Sequence, residues 1–240
     1  MNEKLINLKT YAENFGINLT DEKLEKFELF AEFLTAYNSH TNLVSSNDIN
    51  LIYEKHFTDS LAFGKYLAAA QDYKIIDIGS GGGFPVLPMA IVLDKCQITA
   101  VDSTKKKTDF IKQCAEYLKL NNLTVLNVRA EEIAHSDNFR ENYDIATARA
   151  VGNLAQICEL CLPFLINDGL FIAYKSEKFQ EEIKFAQNAL NILKSEVAEI
   201  YEYEIKLDEN YKRNLIAIKK QGPIPTLYPR SFSAIKNKPL

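Results

Sequence analysis

Hydrophobic residues in the first third of the chain recur at helical spacing. Leu5, Leu8, Ala12 and Phe15 share one face of a segment over 3–15, and Leu24, Phe27, Ala31, Leu34 and Tyr37 form a stripe in a second, the pattern of helices that bury one side. Thr20 is placed to cap the second helix, with Asp21 and Glu22 in its first turn, where carboxylates meet the positive end of the helix dipole. The polar stretch 38–47 predicts a loop, after which Asp48 opens further helix to about Ala70.

At Tyr73 the period changes. Short apolar runs at 74–78, 97–101, 124–128, 143–147 and 170–174 alternate with helical segments near 84–93, 104–119, 153–165 and 178–193. Such alternation predicts a parallel sheet covered on both faces. Two more strand-like runs, 197–205 and 214–218, flank a linker at 206–210 and predict an antiparallel hairpin at one sheet edge. The expected architecture is α/β: a doubly wound, mostly parallel seven-stranded sheet with an N-terminal helical extension and an antiparallel C-terminal edge hairpin. The chain divides into the extension (1–70), the core (71–220) and a basic tail (221–240). Four prolines (Pro223, Pro225, Pro229 and Pro239) and little periodicity predict that the tail is extended.

Composition narrows the function classes. With 240 residues, 47% hydrophobic and 25% charged, the chain suits one sizeable core. No apolar run reaches the roughly 20 residues that cross a bilayer, and the N-terminus is amphipathic, so a cytoplasmic protein without membrane contact is expected. Cys96, Cys114, Cys158 and Cys161 lie inside predicted elements. The Cys158/Cys161 pair lacks the second ligand pair that a zinc site needs, so packing is expected and no metal. Net charge is −4, yet residues 211–240 hold seven Lys/Arg and no acid, leaving −11 on the first 210. An acidic body with a basic end suggests a polyanion met by one surface.

The strongest local signal is Ile75-Ile76-Asp77-Ile78-Gly79-Ser80-Gly81-Gly82-Gly83-Phe84-Pro85, an apolar strand, a glycine loop and a helix start. In an open α/β sheet this is where ligands bind. A dinucleotide fingerprint needs glycine at the position of Phe84, and a P-loop needs Gly-Lys-Ser/Thr; neither is present. Asp77 suits a cationic ligand better than a pyrophosphate, which points to S-adenosylmethionine. A second strand ends at Asp102, about 20 residues on, where a carboxylate can accept both ribose hydroxyls; the alternative is a helix cap, a role Ser103 and Thr104 also suit. A third ends in Val128-Arg129-Ala130-Glu131-Glu132, at the height of an adenine.

These residues carry a resemblance to the bacterial 16S rRNA guanine-N7 methyltransferases (the RsmG or GidB family). It extends over nearly the whole chain, through Asn38, Thr41-Asn42-Leu43, His56-Phe57, Asp59-Ser60-Leu61, the glycine loop with its Phe84-Pro85, and Val101-Asp102-Ser103. Further along it includes Arg129-Ala130-Glu131-Glu132, Thr147-Ala148-Arg149-Ala150-Val151, Glu159-Leu160-Cys161-Leu162-Pro163, Arg213-Asn214 and Tyr228-Pro229-Arg230. The resemblance implies S-adenosylmethionine as cofactor and 16S rRNA, or the 30S subunit, as partner of a monomer. The candidate cofactor residues are Asp77, Gly79, Gly81, Gly83, Phe84, Asp102, Ser103, Thr104, Ala130, Glu131 and Arg149, with Arg149 also the candidate catalytic residue. Arg149 would otherwise form an ion pair with Asp144 or Glu159, and His56 with Asp59 a helix-face pair. Lys105-Lys106-Lys107, Lys175 and the tail would form a basic rim. Guanine N7 has no proton to lose, so no general base is expected. A methyltransferase acting on a small molecule or protein, or a non-catalytic sensor, shares the core motifs.

Overall fold

The computed structural model describes residues 2–41, 43–67, 72–177, 179–207 and 210–240. Asn42, the helix end near Ala70, Lys178, and Asp208-Glu209 of the hairpin linker lie outside them.

Seven strands form one sheet in the order β3-β2-β1-β4-β5-β7-β6. They are β1 (Lys74–Ile78), β2 (Gln97–Asp102), β3 (Leu123–Asn127), β4 (Tyr143–Arg149), β5 (Leu165–Lys175), β6 (Ser195–Lys206) and β7 (Asn210–Lys220). Strands β1 to β5 are parallel to one another, while β7 runs antiparallel to both β5 and β6. The predicted α/β class, the mostly parallel sheet and the antiparallel edge hairpin are all present. β4 and β5 are longer than their apolar runs: β4 continues to Arg149, and the polar start of β5 pairs Leu165 with Tyr143 across an irregularity in register.

Helices α1 (Glu3–Asn14) and α2 (Asp21–Thr41) precede the sheet. α2 extends past the predicted loop boundary because Asn38 turns inward. Its amide donates to the Val44 carbonyl (2.9 Å) and its side-chain oxygen accepts the Val44 N–H (3.0 Å), which satisfies the strand of chain that follows. The helix expected from Asp48 is broken into α3 (Ser46–Asn50), a π-helical segment (Ile52–Phe57), α4 (Thr58–Leu61) and a 3₁₀ turn (Ala62–Lys65). The wide turn lets the Thr58 hydroxyl reach the Tyr53 carbonyl at 3.0 Å; such turns re-aim side chains relative to a regular helix.

Two apolar layers flank the sheet. On one face α1, α2 and α4 pack with α5 (Val86–Val92) and α6 (Lys105–Tyr117) over Ile75, Ile98 and Ile172. Phe27, Phe30 and Phe57 meet there at ring separations of 5.0 and 5.1 Å, and Phe30 stacks on Phe84 at 5.4 Å. The extension is thus joined to the glycine loop by aromatic packing. α7 (Ala130–Ile133) follows β3, and α8 (Leu154–Cys161) and α9 (Phe179–Ile192) cover the other face. The four cysteines are buried and free.

The C-terminal segment is not an extended tail. It crosses the second face, buries Ile224 and Ile235, and ends in α10 (Phe232–Asn237). Arg230 grips Glu159 of α8 through Nε (2.8 Å), Nη2 (2.6 Å) and its own backbone N–H (2.8 Å), and Glu159 is fully buried. Arg140 donates to the carbonyls of Ile224 and Tyr228, each at 2.8 Å. Carbonyls left without a strand partner are satisfied by this guanidinium, which is why irregular backbone can lie on the core.

Removing residues 221–240 would strip Glu159 of its cation and leave a buried, unpaired carboxylate. Breaking such a pair costs about 3–5 kcal/mol. Thermal denaturation of the truncated chain is expected to show a clear fall in melting temperature; an unchanged melt would mean that the segment adds nothing to the core.

Candidate functional site

The sheet gathers four strand ends along one edge. After β1 the chain turns at Gly79, whose φ is +75°, a conformation that L side chains rarely adopt. A Cβ there would stand 2.5 Å from a Val151 methyl. Gly79 and Ser80 both donate to the Val101 carbonyl of β2, at 2.8 and 3.1 Å, so the loop is folded back over the neighbouring strand. Asp102 ties the two together: Oδ2 accepts the Gly81 N–H (3.0 Å) and Oδ1 the Thr104 N–H (2.8 Å). The Thr104 hydroxyl makes no capping bond at the start of α6.

A cavity of about 380 Å³ opens above this edge, and Gly79, Asp102, Ser103, Thr104, Ala130 and Glu131 line it together with Leu160, Val151 and Phe232. A second cleft of about 300 Å³ adjoins it and shares Gly79, Lys107 and Ala150. Its walls include Gly81, Phe84, Arg149, His56 and Asp48. Asp77 and Gly83 line neither. Gly83 (φ +88°) lies against Leu87, and Asp77 is buried behind the loop.

Arg149, at the end of β4, meets neither Asp144 nor Glu159. Asp144 accepts the Lys74 N–H of β1 (2.7 Å), and Glu159 holds Arg230. Arg149 instead turns toward α4. Its Nε lies 3.2 Å from Asp59, Nη1 donates to Ser60 Oγ (3.2 Å), and Nη2 to His56 Nδ1 (2.7 Å). Asp59 is 1% exposed and also accepts Arg213 Nε (2.8 Å), Arg213 Nη2 (3.1 Å) and the Tyr203 hydroxyl (2.6 Å). Burial alone would raise its pKa, but the two guanidiniums and these hydrogen bonds hold it below the usual carboxylate range.

His56 stacks on Phe84 at 4.9 Å. Burial, reinforced by the charge of Arg149, pushes its pKa down to about 4, so near neutrality it is the uncharged acceptor that the Arg149 contact requires. The expected His56–Asp59 pair is therefore two separate contacts on one guanidinium. Asp59, Ser60, Tyr203 and Arg213 are the residues that sequence reasoning gave no role at the site. The signals for them were the helix-face spacing of Asp59 from His56 and the inclusion of Asp59-Ser60 and Arg213 in the resembling segments.

The basic rim is smaller than expected. Lys105, Lys106 and Lys107 open α6 on the surface, and Lys106 donates to the Thr41 carbonyl at the end of α2. Lys175 is turned inward to the Gly152 carbonyl and Glu182, each at 2.7 Å, and Arg230 is engaged with Glu159.

Comparisons with known proteins identify the family and the fold. Residues 23–216 match the family GidB, rRNA small subunit methyltransferase G. The chain is 37% identical over 228 residues to Ribosomal RNA small subunit methyltransferase G of Bacillus licheniformis, covering 95% of each chain. The protein of that name from Bacillus subtilis is 36% identical over 225 residues, 94% of each. Among solved structures, a SAM-dependent O-methyltransferase from Thermotoga maritima shares the fold, with a TM-score of 0.51 at 15% identity over 68% of this chain and 65% of that one.

Asp77 generates a pH-dependent expectation. Thr147 Oγ1 donates to its Oδ1 (2.6 Å), its Oδ2 is buried without a partner, and burial pushes the pKa up to about 6. A folded pKa raised above the unfolded value contributes stability in acid that is lost as pH rises through 6. Asp77→Asn is thus expected to raise the melting temperature at pH 7.5, by the equivalent of about 1–3 kcal/mol, with the gain vanishing toward pH 4. A lower melting temperature at pH 7.5 would contradict this.

Proposed function

This chain belongs to the GidB family of rRNA small subunit methyltransferases G, and from that premise we propose that it moves a methyl group from S-adenosylmethionine to N7 of a guanine in 16S rRNA. It is an rRNA methyltransferase, and S-adenosylmethionine is its methyl donor. In this reading it works in the cytoplasm as a monomer, on the 30S subunit or its RNA. The observation that carries the reading is the pair of adjoining clefts, one built on Asp102 and the other walled by Phe84, His56 and Arg149.

The residues present fit the cofactor. Each Asp102 oxygen accepts one backbone N–H and keeps lone-pair capacity for a ribose hydroxyl. Gly79 lines both clefts with bare backbone. The orphaned Oδ2 of Asp77 places negative charge behind the loop, which suits a cationic ligand. When bound, the cofactor supplies a methyl on a sulfonium, open to in-line displacement.

The chain's own task is then positioning. N7 attacks with a lone pair and releases no proton, so no side chain has to act as a base. Arg149 is held by Asp59, Ser60 and His56. Its guanidinium carbon lies 5.7 Å from the centre of the Phe84 ring. A fixed donor beside a flat apolar ring can orient a base edge, and holding the reacting atoms in line supplies much of the acceleration in such a reaction. A base on a folded RNA must leave its stack to enter a cleft of this size. Lys107, which borders both clefts, is placed for a phosphate contact.

Labelled S-adenosylmethionine is expected to mark 16S rRNA at a guanine that becomes cleavable by aniline after borohydride reduction. Label confined to protein, or none on RNA, would overturn the reading. Asp102→Ala should weaken cofactor binding in calorimetry by about one to two decades, the value of a lost charge-assisted contact of about 1.5–3 kcal/mol. Arg149→Ala should lower rRNA turnover more than cofactor affinity; equal losses in both would place Arg149 on the cofactor alone.

A further inference from the structure

Phe232 is the only aromatic among the described residues that line the larger cavity, and it belongs to the segment whose sequence suggested an external tail. We propose that Phe232 is a binding residue for the adenine ring of S-adenosylmethionine, so that the C-terminal segment forms a wall of the cofactor site. The proposal rests on the reading of this cavity as the cofactor's.

Its placement supports that role. Asp102 marks the ribose end at β2, and Val128, Ala130 and Leu160 give the neighbouring part of the cavity an apolar lining. Phe232 borders the same space and remains 41% exposed, so flat apolar surface is left for a base to cover. The ring does not float. Ile235, three residues on, is 1% exposed in the core. Two residues earlier, Arg230 is fixed to Glu159, the residue before Leu160. The Arg129 guanidinium lies over the ring, 5.3 Å from its centre, and a cation on an aromatic face holds it further. An anchored ring beside a ribose carboxylate is what recognition of a purine requires, since every base presents a π face.

The test uses the full chain and S-adenosylhomocysteine. Calorimetry on wild type, Phe232→Ala and Phe232→Tyr is read beside thermal melts of the ligand-free proteins. Phe232→Ala is expected to weaken binding by about tenfold, within the range of base–aromatic stacking, with an unchanged melt; Phe232→Tyr should bind as wild type does. The chain contains no tryptophan, so Phe232→Trp introduces a single indole. Its emission should respond to S-adenosylhomocysteine and to adenosine but not to methionine. Phe185→Trp, on a side chain 80% exposed on α9, should stay silent. If Phe232→Ala binds like wild type, the proposal is overturned and the cofactor reading stands. Loss of affinity together with a lower melt, while the Phe232→Trp indole ignores the ligand, assigns the ring to packing and also overturns it. A wild-type chain that binds no S-adenosylhomocysteine overturns both.

Discussion

The architecture turns on one buried carboxylate. Asp59 sits in the interior and would be costly there alone, since an isolated charge in low dielectric loses its hydration without return. It is made tolerable by Arg149 from the end of β4, Arg213 from β7 and the Tyr203 hydroxyl from β6. Four elements from distant parts of the chain therefore have to meet for any of these groups to be stable. The helical extension, the last strands of the parallel sheet and the C-terminal hairpin are bound to one another at a single point. Because Arg149 both neutralises Asp59 and forms a wall of the second cleft, the geometry of the site is set by the same contact that closes the fold.

Local sequence pattern carried much of this structure. The strand ends were legible because each bears a mark imposed by backbone geometry or solvation: glycine where φ must be positive, an acid where a strand stops at solvent, apolar runs where strands are covered on both faces. Gly79, Asp102, Ala130 and Glu131 meet at one cavity for that reason. The edge hairpin was legible from two strand-length runs across a short linker.

What sequence could not supply were pairings between distant residues. Nothing in the spacing of Asp59, Arg149 and Arg213 tells that they converge, because an ion pair closed through tertiary structure leaves no period. The alternative partners that sequence offers Arg149 are the nearby acids Asp144 and Glu159, and both are engaged elsewhere. The tail was misread for a related reason. Prolines and lysines describe the local backbone and solubility of a segment, whereas docking depends on Glu159, a residue 71 positions away from Arg230. The π-helical break at Ile52–Phe57 escaped because its apolar positions suit a regular helix nearly as well. Asp77 and Gly83 also show the limit of motif reasoning: both belong to the strand-and-loop motif, yet neither lines a cleft.

The strand order also bears on how the chain is made. β6 pairs only with β7, and β7 lies between it and β5. During synthesis from the N-terminus, β6 leaves the ribosome before the strand that will attach it to the sheet. Asp59 waits 154 residues for Arg213, and Glu159 waits 71 for Arg230. In both cases the carboxylate precedes its last cation in the chain, although Asp59 already has Arg149 of β4 beside it. Electrostatics thereby makes the full pairing of both acids contingent on the segments that follow β6.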